Sequence, residues 1–170
     1  MAFEIYDSSA PVFVKVMRNM RAWLDKAAAE KPEAALLEAR LAEDMYPLSR
    51  QYQIASDTAK NGIARLTGIE APSMPDIEAS FAELKGRCDK TITFIESVDR
   101  AAFADAEERA IEMKFPSGMG YRWNGADYLR DFALPNLYFH ATVAYAIMRA
   151  QGVSLGKPDF LQHLGLPEQL

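Results

Sequence analysis

Residues 133–152 read ALPNLYFHATVAYAIMRAQG, and this stretch sets the fold class that we predict. Its apolar residues recur at spacings of three and four, the period of an α-helix, and they cover much of the helix circumference. Gly152 marks the C-terminal end, and Asn124 resembles an N-terminal cap. The pattern predicts one long helix from about residue 125 to 151, the most buried of the chain. Pro135 should kink or break it, because proline removes a backbone hydrogen bond.

Three further amphipathic segments and one short connecting segment precede this helix. Apolar residues at helical spacing predict helices over residues 11–29, 33–42, 45–66 and 77–95. We expect Pro11 to lie in the first turn of the first helix, after a cap at Ser8 or Ser9. We expect Gly68 to end the second bundle helix and Ser73 to begin the third.

Before the last helix the period changes from that of a helix to that of a strand. The runs 111–115 and 121–123 alternate apolar and charged residues, and residues 116–120 between them are rich in turn formers. The pattern predicts a short β-hairpin. Residues 153–170 predict an irregular tail, which we expect to be anchored by Phe160, Leu161 and Leu164.

Composition limits the classes of function. The 170 residues suit a single domain over residues 1–170, and the net charge of -5 disfavours nucleic acid as a partner. The sequence contains no apolar run of roughly 20 residues and no secretory signal, so we expect a cytoplasmic protein without a membrane span. The one cysteine, Cys88, cannot form an internal disulfide, and we expect a buried thiol on a helix.

Two histidines are the candidates for chemistry, because motifs of common metal, phosphate and nucleophile sites are absent. His140 lies midway along the predicted last helix, where a buried imidazole is costly unless its nitrogens are paired. Asn136 lies one turn earlier on the same face, and Tyr138 is close in sequence. Two interpretations stay open for His140, namely a hydrogen-bonded core residue and a ligand-binding or catalytic residue. His163 is expected at the surface.

Three segments carry a resemblance to a known superfamily. They are MYPLSRQ at residues 45–51, the stretch 133–152 quoted above, and LGKPDFL at residues 155–161. Over nearly its whole length the chain resembles the DinB/YfiT-like superfamily, and in particular an uncharacterised branch, a domain of unknown function. The resemblance implies an all-α, up-down four-helix bundle with a β-hairpin crossover before the last helix. It also implies a homodimer.

The same resemblance implies a degenerate metal site. Metal-binding members of the superfamily use one histidine early in the second helix and an HXXXH pair in the fourth, with nickel or zinc as the metal. In this chain His140 matches the second histidine of the pair, Asn136 replaces the first, and Gln51 or Gln53 stands near the place of the second-helix histidine. Amide oxygens are poor ligands for these metals. We therefore expect no metal cofactor, and weak nickel or zinc binding at most, with His140 as the one candidate ligand.

Three functions follow as hypotheses, and the sequence does not decide whether the protein is an enzyme. The first is a small-ligand-binding or structural homodimer. Its candidate ligand-binding residues are His140, Asn136, Gln51, Gln53 and Tyr138. The alternative is a thiol-dependent transferase or hydrolase that uses His140 as a base or metal anchor. A third hypothesis is a partner-binding module without pocket chemistry.

Overall fold

The chain is mostly helical with one small antiparallel hairpin, as a computed structural model describes it for residues 4–166 and 168. This confirms the predicted fold class at that level. Residues 1–3, 167, 169 and 170 lie outside the described part, and with them the ends of the predicted domain and tail. No helix within the described ranges combines the length and the apolar character needed to cross a bilayer.

The helices and strands follow the predicted order. In chain order they are α1 (Ile5–Glu30), α2 (Glu33–Glu38), α3 (Leu48–Thr67), α4 (Phe81–Ser97), β1 (Ile111–Lys114), β2 (Gly120–Trp123), α5 (Gly125–Tyr128), α6 (Leu134–Ala150) and α7 (Lys157–Phe160). Short 3-10 turns lie at Arg100–Phe103 and Gln162–Leu164, and a π-helical segment, Leu129–Ala133, joins α5 to α6.

Four long helices, α1, α3, α4 and α6, build the core. The most extensive packing is between α1 and α4 and between α3 and α6, and α3 also contacts α4. Their buried apolar residues form one cluster that includes Trp23 and Phe13. The hydroxyl of buried Tyr52 on α3 donates to the carbonyl of Met20 on α1 at 2.7 Å. Because α3 touches every other long helix, its first turn is held firmly beside α6.

Two predicted helix starts are wrong. Helix α1 begins at Ile5, so Pro11 lies inside it, and the hydroxyl of Ser9 donates to the carbonyl of Ile5 at 2.6 Å instead of capping the helix. The helix starts early because Ile5 is buried and Tyr6 packs edge-on against Phe103.

Helix α4 begins at Phe81, four residues after the predicted start, and Ile77 is 77% exposed. The cap is Ser80 and not Ser73, since the Ser80 hydroxyl accepts a hydrogen bond from the N–H of Glu83 at 3.2 Å. The Glu83 carboxylate in turn accepts from the N–H of Ala79. This reciprocal pair satisfies N–H groups that the helix itself cannot.

The hairpin is confirmed and leans on the last helix. Ile111 pairs with Trp123, whose ring packs against Tyr128 and Phe132 at centroid distances of 5.7 and 5.6 Å. The Asn124 side chain caps α5, as predicted. Only glycine fits at the next position, because a side chain at Gly125 would overlap the backbone carbonyl of Ala106.

The last helix is less buried than predicted. The π-helical segment ends at Ala133, Pro135 lies in the first turn of α6, and the chain passes from α5 to α6 without a break. Tyr138 and Phe139 are 42% and 56% exposed, whereas most residues of α3 are buried. The apolar residues around much of the circumference of α6 therefore do not indicate complete burial, because one apolar face of the helix is partly open.

In the described part of the tail, one of the three predicted anchors is confirmed and two are wrong. Phe160 packs on the ring of Trp23 at 5.3 Å, as expected for an anchor. Leu161 is partly exposed and Leu164 is 70% exposed, while Val153 and Leu155 are buried. The anchors come earlier because α6 ends at Ala150 and the chain turns back over the core at once.

Candidate functional site

The candidate site is built on a hydrogen bond between two long helices. His140 on α6 faces the first turn of α3, where its Nδ1 lies 2.7 Å from Oε1 of Gln51. The His140 side chain is 8% exposed, and Gln51 is 1% exposed. The structure thus places Gln51 beside the imidazole in a nearly closed setting.

The partners of Gln51 fix the tautomer of His140. The Gln51 Nε2 donates to the backbone carbonyl of Tyr46 at 2.9 Å, so the amide oxygen must face the imidazole. A carbonyl oxygen only accepts, and therefore Nδ1 of His140 carries the proton and Nε2 carries a lone pair.

The Nε2 atom of His140 retains contact with solvent. It makes no hydrogen bond to residues 4–166, and unlike the unpartnered atoms Asn19 Oδ1 and Arg87 Nε it is not fully buried. The site therefore presents a single hydrogen-bond acceptor of fixed orientation.

The environment lowers the pKa of His140. The larger cause is burial, which disfavours the charged imidazolium. The positive charge of nearby Arg50 acts in the same direction, so that the pKa falls from 6.5 to about 4. At neutral pH the imidazole is uncharged, which keeps the Nε2 lone pair available.

Two predicted site residues are bound elsewhere. Asn136 lies one turn before His140 as expected, yet its Nδ2 donates to the Thr58 hydroxyl at 2.7 Å. Gln53 points away from His140, because its Nε2 donates to Glu78 at 3.0 Å. Tyr138 is exposed on α6. Of the predicted residues, the structure brings together His140 and Gln51.

Three neighbours were missed by the sequence prediction. Phe139 contacts the His140 ring edge-on at a centroid distance of 5.1 Å, and the Arg50 guanidinium lies 5.9 Å from the centre of the Tyr46 ring. Tyr46 and Phe139 are 57% and 56% exposed. The sequence could have indicated Tyr46 and Arg50, since both lie near Gln51 at the start of the same helix.

A second polar cluster has a structural role. The Arg87 side chain is 1% exposed and contacts Asp57 at 2.7 Å, Glu78 at 2.8 Å and Asp76 at 3.0 Å. It ties the loop between α3 and α4 to both helices. The neighbouring Cys88 is buried, which raises the pKa of its thiol to about 12, so this group is inert as a nucleophile at neutral pH.

The donors around His140 do not fit a nickel or zinc ion. In the described chain, no three His, Cys, Asp or Glu side chains converge. The nearest polar partner of the imidazole is an amide, and Asn136 is occupied by Thr58. Nickel and zinc favour imidazole and thiolate over amide oxygen.

His140 and Gln51 lie in a nearly closed setting. Hollows of about 250 to 430 Å³ lie elsewhere on the described surface and are lined by neither of these two residues.

Comparisons with known proteins extend over nearly the whole chain. The model of a domain of unknown function, DUF1993, matches residues 5–161. The crystal structure of a DinB family member from Shewanella denitrificans is 39% identical, with a TM-score of 0.86, and the match covers 98% of this chain and 95% of that one. No curated protein matches the sequence.

The lowered pKa of His140 makes stability depend on pH. An imidazole with a pKa of 6.5 unfolded and about 4 folded binds more protons in the unfolded state between these values. The stability that the neutral imidazole contributes to the folded state is complete above pH 6.5 and is lost as the pH falls toward 4. We expect the free energy of unfolding to fall by about 2 kcal/mol from about pH 7 to about pH 5, measured by urea denaturation.

His140→Gln should flatten this pH dependence, whereas His163→Gln should preserve it. An NMR titration of the His140 ring gives the pKa directly. A midpoint at the ordinary histidine value would contradict the geometry described above.

Proposed function

The chain belongs to the DUF1993 family, a DinB-like domain of unknown function, and we propose that it is a metal-independent protein that binds a small polar ligand. The observation that carries the proposal is the Nε2 atom of His140. It is unprotonated, it is held in place through the hydrogen bond of Nδ1 to Gln51, and it reaches solvent. Such an atom accepts one hydrogen bond from a hydroxyl, amine or amide of the ligand.

The surroundings of His140 support binding. The half-exposed ring of Phe139 packs edge-on against the imidazole and offers apolar contact next to the acceptor. Apolar walls with a few oriented polar groups are typical of small-molecule sites. Because His140 lines none of the hollows described above, a ligand would bury little surface, and we expect a modest affinity.

The donor set supports the metal-independent part of the proposal. Among the residues that the structure describes, the His140 imidazole is the one strong ligand for a transition ion near Gln51, and its Nδ1 is used by the amide. In the superfamily pattern, two further histidines would complete the site, one early in the second helix and one that begins the HXXXH pair. This chain has Gln51 and Asn136 near those places. Amide oxygens do not replace them for nickel or zinc.

The enzymatic alternative has one observation in its favour, the solvent-facing lone pair on His140. As a general base, it would have to remove a proton from a thiol of pKa about 8.5. With an imidazole pKa of about 4 this transfer is uphill by about 4.5 pKa units, or about 6 kcal/mol. The geometry therefore favours a hydrogen-bond acceptor over a base, and a measured pKa near 7 would reverse this preference.

We further propose that the protein forms a homodimer through the open face of α6. Tyr138 and Phe139 follow one another there and are both half-exposed. Aromatic residues of this kind are enriched in interfaces between chains. The same face borders the His140 site, so a second copy would also cover Nε2.

Ligand binding can be tested by a thermal-shift screen with small polar metabolites. A ligand at about 100 times its Kd should stabilise the wild type by about 2.7 kcal/mol, which raises the melting temperature by several degrees. The shift should vanish in His140→Leu, because leucine removes the acceptor, and should persist in His163→Leu. Circular dichroism checks that each variant is folded. An equal shift in folded His140→Leu would refute the assignment.

The oligomeric state is measured by size-exclusion chromatography with light scattering. We expect a dimer for the wild type and a monomer for Phe139→Lys, because the charge would be buried in the interface. Ile77→Lys is the matched control, since Ile77 is 77% exposed in the loop before α4, away from the α6 face, and should remain dimeric. A monomeric wild type, or a dimeric Phe139→Lys, would exclude this interface.

A further inference from the structure

A hollow of about 330 Å³ lies where the start of α1 meets α5 and the π-helical segment. Its apolar lining residues are Ile5, Ala126, Leu129 and Leu134. Sites for small molecules are typically clefts of about 300 to 1,000 Å³ with mainly apolar walls and a few polar groups. The hollow meets this description, and it is separate from the His140 site, because His140 does not line it.

The π-helical segment shapes one wall of this hollow. The N–H of Leu134 donates to the carbonyl of Leu129, five residues earlier. Residues five apart point in different directions on an α-helix, which has about 3.6 residues per turn, whereas the wider π turn brings them toward one side. Leu129 and Leu134 both line the hollow in this way. Short π-helical turns are rare, and they occur frequently at functional sites.

Two polar side chains that line the hollow have no partner in the described part of the chain. Glu107 is exposed, and its carboxylate forms neither an ion pair nor a hydrogen bond there. The hydroxyl of Ser8 likewise makes no hydrogen bond to those residues. The third polar residue, Arg130, is held by Asp127 at 2.6 Å and by Asp131 at 2.8 Å. The charged group left to meet a ligand is therefore a carboxylate.

The surroundings of the hollow carry a negative charge. A neighbouring hollow of about 430 Å³ shares Ile5 and Glu107 with it. The residues that line the two hollows, together with their ion-pair partners, include seven carboxylates and two guanidinium groups, namely Glu4, Asp7, Asp105, Glu107, Glu108, Asp127 and Asp131, and Arg100 and Arg130. A field of this sign attracts a cation and disfavours an anion.

We propose that this hollow binds a small primary amine with a short apolar body, as a second site beside the one at His140. The ammonium donates hydrogen bonds to the carboxylate of Glu107 and to the hydroxyl of Ser8. The apolar body packs on Leu129 and Leu134 and is removed from water there. A neutral molecule of the same shape lacks the attraction to Glu107, and an anion of the same shape is repelled by it.

The test titrates four probes into the ¹⁵N-labelled full chain at constant ionic strength, with the amide signals of Ala126 and Leu129 as NMR readouts. Isopentylamine carries the charge and the apolar body, isopentyl alcohol lacks the charge, isovalerate reverses it, and methylamine lacks the body. We expect isopentylamine to bind at least about threefold more tightly than the alcohol, because an exposed ion pair is weak. It should bind at least about tenfold more tightly than methylamine, because methylamine buries little apolar surface.

Two matched variants test the role of Glu107. Glu107→Gln should weaken the binding of isopentylamine at least about threefold. Glu108→Gln removes the same charge from an exposed residue that lines the neighbouring hollow and not this one, and should leave the binding nearly unchanged. Equal effects of the two replacements, or equal affinities of the amine and the alcohol, would overturn the role of Glu107. Tighter binding of isovalerate, or no shift of Ala126 and Leu129 with any probe, would overturn the amine site itself.

Discussion

The hydrogen bond between Nδ1 of His140 and Oε1 of Gln51 is the constraint on which the rest of the site depends. A buried imidazole without a partner costs about 1 to 3 kcal/mol, so the amide of Gln51 is first of all a requirement of the fold. Because the carbonyl of Tyr46 orients that amide, the bond also selects one tautomer. The protonated nitrogen faces inward and the lone pair faces out. The same contact thus satisfies the buried imidazole and orients its unprotonated nitrogen.

This contact is one of several polar links between α3 and its neighbours. Asn136 on α6 donates to Thr58, and on the opposite side the hydroxyls of Ser56 and Thr91 lie 2.7 Å apart. The Arg87 cluster then fixes the loop that leads out of α3. Polar networks of this kind set the rotation of a helix more specifically than apolar packing does. The rotation of α3 is what brings Gln51, and not Gln53, to the imidazole.

Much of the fold could be predicted from the sequence, because apolar periodicity and turn residues act locally. The four long helices, the hairpin, the stop at Gly68 and the cap at Asn124 were all visible in this way. The start of α4 was not, since both Ser73 and Ser80 precede an acidic residue by three positions and only packing decides between them. The site was harder. Gln51 and Gln53 lie on nearly opposite sides of a helix, and the sequence does not report which side faces α6. Asn136 shares a face with His140, yet its side chain bonds to Thr58 and not to the imidazole.

We propose that an amide-bonded imidazole replaces a metal centre in this protein. Elemental analysis of protein purified from medium that contains nickel and zinc tests this most directly. We expect less than about one-tenth of an equivalent of either metal per chain, because one imidazole and amide oxygens bind them weakly. A near-stoichiometric metal content that disappears in His140→Ala would contradict the claim.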